Sequence, residues 1–315
     1  MDINYLLLLQ EFRTETQDIL TPFMKSVSSF SVSYLLLLPV LIYWCWNKRQ
    51  GLLILVSLYL CTALTALIKL TACVYRPWIK DPRIIPAVKS LPTSYSFPSR
   101  HTIIGATICF GSAAVFWQKR LTKILAVLFI ILAVLTGLSR NYLGVHTPQD
   151  VIAGFIFSIF CLCIVWKVGN YLQKHPEREN MFLILTALFS IAALIYVVYK
   201  PYPLDYIDGK LLVSPKKAAG GAFEAFGALF AFSIARYIEK TWVRFQVTGL
   251  NLKGISLGIA GLIPLYILFT YTEKPLRHLL PYHLGKFAWA AILVFYIITL
   301  YPLILKYLYS NKSNK

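Results

Sequence analysis

The chain has 315 residues, with 31 Lys and Arg against 13 Asp and Glu for a net charge of +18, and 58% of it is hydrophobic while 14% is charged. Soluble globular chains carry about 45–50% apolar and about 25% charged residues. With a mean hydropathy of +0.65, the composition excludes a disordered chain, a secreted disulfide scaffold and an ordinary cytosolic enzyme, and the scattering of its positive residues between long apolar runs excludes a nucleic-acid partner.

At the start, Met1-Asp2-Ile3 has no basic region, and Leu6 to Leu9 is followed by Gln10, Glu11, Arg13, Glu15 and Asp18. This does not read as a cleaved signal. It reads as an amphipathic helix over 3–26 lying at a membrane interface. A hydrocarbon core takes roughly 20 apolar residues per spanning helix. Nine spans follow on that scale: 29–46, 51–74, 101–118, 121–139, 149–172, 181–199, 217–237, 253–272 and 284–307. The expected fold class is all-α, a polytopic transmembrane helical bundle. Cys45, Cys61, Cys73, Cys109, Cys161 and Cys163 lie within or at the ends of apolar segments, where thiols behave as small hydrophobes. Their spacings suit no zinc site, so neither a disulfide nor a metal is expected.

Loop charges set the expected topology. Lys48 and Arg49, then Lys119, Arg120 and Lys123, then Lys174 and Arg178, then Lys240 and Arg244 mark the cytoplasmic loops. The other face mixes signs: Lys80, Asp81 and Arg83, then Asp205, Asp208 and Lys210, then Glu273 and Lys274. Trp44, Trp46, Trp78, Trp117, Trp166 and Trp242 fall near span ends, as an aromatic belt requires.

The unusual polar residues fall on one side. Lys69 and Arg76 end the second span, Ser99, Arg100 and His101 open the third, Ser139 and Arg140 close the fourth, and His146 with Asp150 opens the fifth. Charged groups at membrane depth are costly and usually functional. Lys69 and Arg76, seven residues apart, are expected on one side of one helix about two turns apart, with Pro77 stopping it. Pro98 before Ser99-Arg100-His101 has the form of a helix start, whose free N–H groups favour an anion. Arg76 and Arg140 offer planar forks to phosphate oxygens. His146 and Asp150, four apart, can meet, so that a carboxylate on one imidazole nitrogen sharpens the other. Thr147, Pro148 and Asp150 also form a capping box; capping and orienting are compatible roles for Asp150.

Lys69-Leu-Thr-Ala-Cys-Val-Tyr-Arg76-Pro77, then Pro98-Ser99-Arg100-His101, then Ser139-Arg140-Asn-Tyr-Leu-Gly-Val-His146-Thr-Pro-Gln-Asp150 resembles the three signature motifs of the type-2 phosphatidic acid phosphatase family. The likeness covers roughly residues 1–175, and the N-terminal half is similar to small bacterial undecaprenyl pyrophosphate phosphatases. It implies a phosphohistidine on His146 oriented by Asp150, with His101 as general acid. Lys69, Arg76, Ser99 and Arg140 would hold the phosphoryl oxygens, Pro98 and Ser139 would support the site, and no metal or other cofactor would be needed. The family usually has Gly where this chain has Arg100, a residue that either narrows the pocket or adds a cation for substrate.

Residues 1–180 are thus expected to form a phosphatase core of an interfacial helix and about five spans. Residues 181–315 add transmembrane helices that shape a groove for lipid or a homodimer surface, and the polar linker 201–217 lies close enough to cover the site. Glu224, beside Gly220, Gly221, Ala225 and Gly227, marks close helix packing or an acid of function; Glu273, Arg277, His278 and His283 belong to an outer loop and His175 to a basic turn. The implied activity is a metal-independent lipid phosphatase acting at the outer face of a bacterial inner membrane. Its partners are membrane lipids and a lipid phosphate such as undecaprenyl pyrophosphate, phosphatidate or phosphatidylglycerol phosphate. Rivals are a lipid phosphotransferase using the same site and an anionic-lipid transporter, although a transporter would place broken helices near mid-membrane.

Overall fold

A computed structural model describes residues 2–310 except Lys119 and Asp208, so those two loop charges lie outside the described residues. Helices follow one another as α1 (Asp2–Glu15), α2 (Thr21–Ser33), α3 (Leu37–Leu41), α4 (Lys48–Ala72), α5 (Pro77–Lys80), α6 (Arg100–Phe116), α7 (Lys123–Tyr142) and α8 (Pro148–Lys174). The series continues with α9 (Glu179–Tyr199), α10 (Pro215–Ile238), α11 (Leu252–Tyr271), α12 (Glu273–Leu279), α13 (Tyr282–Phe295) and α14 (Tyr301–Ser310). Among the described residues the strands form one short hairpin, β1 (Tyr206–Ile207) antiparallel to β2 (Lys210–Leu211). Helices dominate because apolar runs in hydrocarbon must satisfy their backbone N–H and C=O groups internally. Eight helical segments of the described chain are long and apolar enough to cross a membrane, and the remaining expected span, 101–118, is the shorter apolar helix α6.

Two boundaries differ from expectation. The helix expected over 3–26 is two helices: Gln17 and Asp18 take left-handed φ of 48° and 59°, and α2 continues into the first span, which begins at Thr21. Helix α4 ends at Ala72, before Arg76, so Lys69 and Arg76 do not share a helix. Cys73 turns left-handed at φ 48°. Arg76 is extended, at φ −69° and ψ 154°, because a residue before proline is pushed out of the helical region. Pro77 begins a helix here instead of stopping one.

The chain forms two compact units. The first contains residues 1–36, 64–163 and 200–218, and the second 37–63, 164–199 and 219–315. In the first, α6 packs along α7 with α2 against both. Gly105 on α6 permits the crossing, since a Cβ there would lie 2.9 Å from Cγ2 of Thr136 on α7 and 3.3 Å from Cβ of Ser31 on α2. The Ser31 and Thr136 hydroxyls hydrogen-bond at 2.6 Å beside it. Gly154 on α8 plays the same part against α6, where a Cβ would meet that of Thr102 at 3.0 Å. The linker after α9 belongs to this unit: Lys200 donates to the Leu70 carbonyl at 2.6 Å, and the Tyr75 hydroxyl to Asp205.

In the second unit a π-helical stretch, Ile42–Trp46, places Tyr43 and Trp44 in the core. Trp44 donates its indole N–H to the Ile297 carbonyl at 2.9 Å and packs on Tyr301 at 4.4 Å between ring centroids. It is therefore a core residue and no part of an aromatic belt, whereas Trp117 and Trp242 are 50% and 67% exposed. Glu224 pairs with Lys286 at 3.4 Å, which also pairs with Glu273 at 2.7 Å. Its glycine neighbours serve packing: Gly220 faces Tyr282 and Gly227 faces Phe287. Completely buried Glu239 is held by Lys48 at 2.5 Å and by Arg236, which reaches Glu179 at 2.8 Å.

Candidate active site

Three stretches of the first unit converge. The end of α4 and the turn after it bring Lys69 and Arg76; the loop 94–99 runs into α6 and brings Ser96, Ser99, Arg100 and His101. The α7–α8 connection brings Arg140, His146 and Asp150. Lys69, Arg76, Ser99, Arg140, His146 and Asp150 are all buried.

Local sequence accounts for the scaffold. Ser99 caps α6, its Oγ accepting from the Thr102 backbone N–H at 3.5 Å as N-cap serines do, and from the Thr102 hydroxyl at 2.9 Å. Its own N–H donates to the Asp150 carbonyl at 3.0 Å, tying the starts of α6 and α8 together. The capping box of α8 is present: Asp150 Oδ2 accepts from the Thr147 N–H at 3.0 Å, and Thr147 Oγ1 accepts from the Asp150 N–H at 3.4 Å. Gly144 provides the turn between α7 and α8 at φ 68°, a conformation that favours glycine. Asn141 donates to the His146 carbonyl at 2.9 Å and holds the end of that turn.

The same Asp150 Oδ2 lies 3.1 Å from Nδ1 of His146, so one carboxylate oxygen both caps the helix and orients the ring. On the opposite side, Nη1 of Arg76 lies 2.8 Å from Nε2 of His146. A guanidinium only donates, which makes Nε2 the acceptor and Nδ1 the protonated nitrogen facing Asp150. The tautomer is assigned from these partners, and it leaves the Nε2 lone pair as the nucleophilic one. Arg76 is held by the Val145 and Ser94 carbonyls, both at 2.9 Å. Burial, and then the charges of Arg76, Lys69 and Arg140, hold His146 well below the usual histidine range. Its imidazole is neutral at neutral pH.

Arg140 donates from Nη1 to Oγ of Ser28 on α2 at 2.7 Å, while its buried Nε has no hydrogen-bond partner among the described residues. A buried guanidinium N–H without an acceptor is the kind of donor an incoming anion satisfies. His101, part-buried on the first turn of α6, lies within the field of Arg140, Arg100, Arg76 and Lys69. Lys69 meets backbone carbonyls of the loop ahead of α6. Its ammonium donates to the carbonyls of Tyr95, Ser96 and Pro98 at 2.9, 2.8 and 2.8 Å. An ammonium has three N–H groups, and here all three go to that loop. The Pro98 carbonyl is the third of those acceptors. Ser139 donates to the Thr136 carbonyl of its own helix at 2.7 Å, a structural role.

Two residues at the site escape a reading of the motifs. Ser28 braces Arg140 from α2, far off in sequence, with no local signal. Ser96 donates to Asp150 Oδ2 at 2.5 Å; its only sequence cue is a hydroxyl in the loop just ahead of Pro98-Ser99.

A buried His–Asp pair with Arg76 on the other ring nitrogen thus stands beside the capped starts of two helices in a membrane-type helical chain. Residues 50–174 match the PAP2 superfamily. The chain is 34% identical over 111 residues to an undecaprenyl-diphosphatase of Sulfolobus acidocaldarius, covering 35% of this chain and 50% of that protein. To phosphatidylglycerophosphatase B of Bacillus subtilis it is 30% identical over 113 residues, 33% of this chain and 54% of the relative. To sphingosine-1-phosphate phosphatase 1 of Mus musculus it is 27% identical over 170 residues, 50% of this chain and 37% of the relative. The chain thus spans about half the length, or less, of these curated relatives. No solved structure matches it.

Proposed function

We propose that the chain is an integral-membrane lipid phosphatase that works through a phosphohistidine on His146. The observation that carries the reading is the two-sided hold on the buried imidazole, with Asp150 on Nδ1 and Arg76 on Nε2. Arg76, Arg140, Ser99 and the first N–H groups of α6 grip the phosphoryl oxygens, Arg100 adds a cation at their rim, and Lys69 acts through the loop it seats. The Nε2 lone pair attacks phosphorus and the bond from phosphorus to the leaving oxygen breaks. His101 gives that oxygen its proton. Water then attacks the phosphohistidine, releasing phosphate and Nε2 as its proton passes back to His101. Fixed cations stabilise charge that develops in such a transfer, and being supplied by the protein they make no metal necessary.

The names of the relatives support a lipid phosphate or pyrophosphate as substrate, undecaprenyl pyrophosphate or a phosphatidylglycerol phosphate among them; phosphatidate is a further candidate of the same chemistry. Within this reading residues 1–180 carry the chemistry, 181–315 supply further spans for lipid access or a homodimer, and the site opens to the outer side of a bacterial inner membrane. The test is phosphate release by purified protein from a panel of such lipids, with and without EDTA. Labelled phosphate is expected in water for wild type and absent for His146→Ala. Label recovered in an acceptor lipid identifies a phosphotransferase instead, and lipid flux without phosphate release a transporter.

A further inference from the structure

We infer that Ser96, outside the three motifs, is a positioning residue for this chemistry: its hydroxyl locks the Asp150 carboxylate that orients His146, and Lys69 is the clamp that seats it. The inference rests on the phosphoryl-transfer reading above.

Oδ2 of Asp150 accepts from three directions: the Thr147 N–H at 3.0 Å, Nδ1 of His146 at 3.1 Å and the Ser96 hydroxyl at 2.5 Å. The first comes from the capping turn and the second from the nucleophile. Ser96 is the third, from a separate stretch of chain, and with it in place the carboxylate cannot swing without losing a donor. Ser96 Oγ also lies 3.4 Å from Nδ1 of His146. A hydroxyl has one hydrogen to give, and with Nδ1 itself a donor that hydrogen goes to the carboxylate.

The position of Ser96 is itself fixed. Its N–H donates to the Val74 carbonyl at 2.7 Å and its carbonyl accepts from Lys69 at 2.8 Å. Only 1% of Ser96 and 8% of Lys69 is exposed. Burying an ammonium with no hydrogen-bond compensation is prohibitive. Here the carbonyls of Tyr95 and Pro98 complete its coordination. The loop therefore folds around the lysine, delivering Ser96 to Asp150 and Ser99 to the start of α6 in one piece.

The test compares wild type, His146→Ala, Ser96→Ala and Ser96→Thr, all as folded protein isolated by size exclusion in detergent, on the lipid phosphates that wild type hydrolyses. Ser96→Ala is expected to lower kcat by about ten- to a hundredfold, the scale seen when an outer partner of a functional histidine is lost, with KM unchanged. Its acid limb is expected to move to higher pH, because a carboxylate relieved of a donor holds the imidazolium more strongly. The other charged groups facing His146, namely Arg76, Lys69, Arg140 and His101, are the same in both proteins. Ser96→Thr keeps the hydroxyl and is expected to restore the wild-type limb and most of kcat. Wild-type kcat and pH profile in Ser96→Ala, equal losses in both variants, or a Ser96→Ala chain that yields no folded protein would each overturn the inference. Inactive wild type, or active His146→Ala, instead sinks the phosphohistidine reading beneath it.

Discussion

Nη1 of Arg76 stands 2.8 Å from Nε2 of His146, so the nitrogen expected to attack phosphorus is covered by the cation expected to receive the phosphate. Both roles fit one guanidinium. It donates to the lone pair in this structure, and in the proposed reaction the same N–H group turns to a phosphoryl oxygen when substrate arrives and uncovers Nε2. Arg76→Lys keeps the charge and loses the fork that also serves the Val145 and Ser94 carbonyls. Its turnover is expected to fall by about 10²–10³, the scale of one lost transition-state donor, in a phosphate-release assay. A lysine variant within threefold of wild type would refute the shared role.

Neutral His146 sets the pH dependence. In the proposed reaction the nucleophile is the unprotonated ring, and burial with the cations Arg76, Lys69 and Arg140 opposes its protonation. Its folded-state value therefore lies below the ordinary histidine value of about 6.5, and the active form persists as pH falls through that value. The acid limb of kcat/KM is expected clearly below pH 6.5. A limb at or above it means that the cations do not act on this ring as the geometry requires.

How much of this was legible in the sequence follows from what each feature depends on. Spans were readable because hydrocarbon imposes length and apolarity locally. The capping box at Thr147 and Asp150 and the helix start at Ser99 were readable because caps depend on neighbours three or four residues away. The ends of α1 and α4 were not, since they turn on single left-handed residues such as Asp18 and Cys73 that nothing in composition flags. The three carbonyls around Lys69 are not legible either, because a sequence gives charge without showing which acceptors fold around it. Ser28 and Trp44 depend on partners from distant helices, and periodicity carries no trace of them.

Gly144 tests the turn that presents His146. A Cβ there would meet Cγ2 of Ile84 at 3.6 Å, ordinary contact, so Gly144→Ala suffers from conformation and not from crowding. The left-handed φ of 68° is expected to cost about 1–2 kcal/mol, read as a lower melting temperature in detergent. Gly144→Asn, with a side chain that tolerates this region, is expected to lose less. Equal melting temperatures for wild type and Gly144→Ala would mean the turn adopts another conformation.

The second unit offers a test independent of the chemistry. Glu239 is 0% exposed, with Lys48 on one oxygen at 2.5 Å and Arg236 on the other. Arg236 has a second acid in Glu179 at 2.8 Å, whereas Lys48 has otherwise the Phe245 carbonyl at 2.8 Å and the face of its ring at 4.4 Å. Removing the buried charge leaves Lys48 the worse-compensated cation, and breaking such a pair costs about 3–5 kcal/mol. Glu239→Gln is therefore expected to lower the melting temperature strongly. Adding Lys48→Met is expected to recover part of the loss, because the stranded ammonium goes with it. A double variant less stable than Glu239→Gln would show that the Lys48 contacts to Phe245 outweigh the cost of its stranded charge. Phosphate release per folded molecule is expected to stay at wild-type level in both, since neither residue belongs to the unit that holds His146.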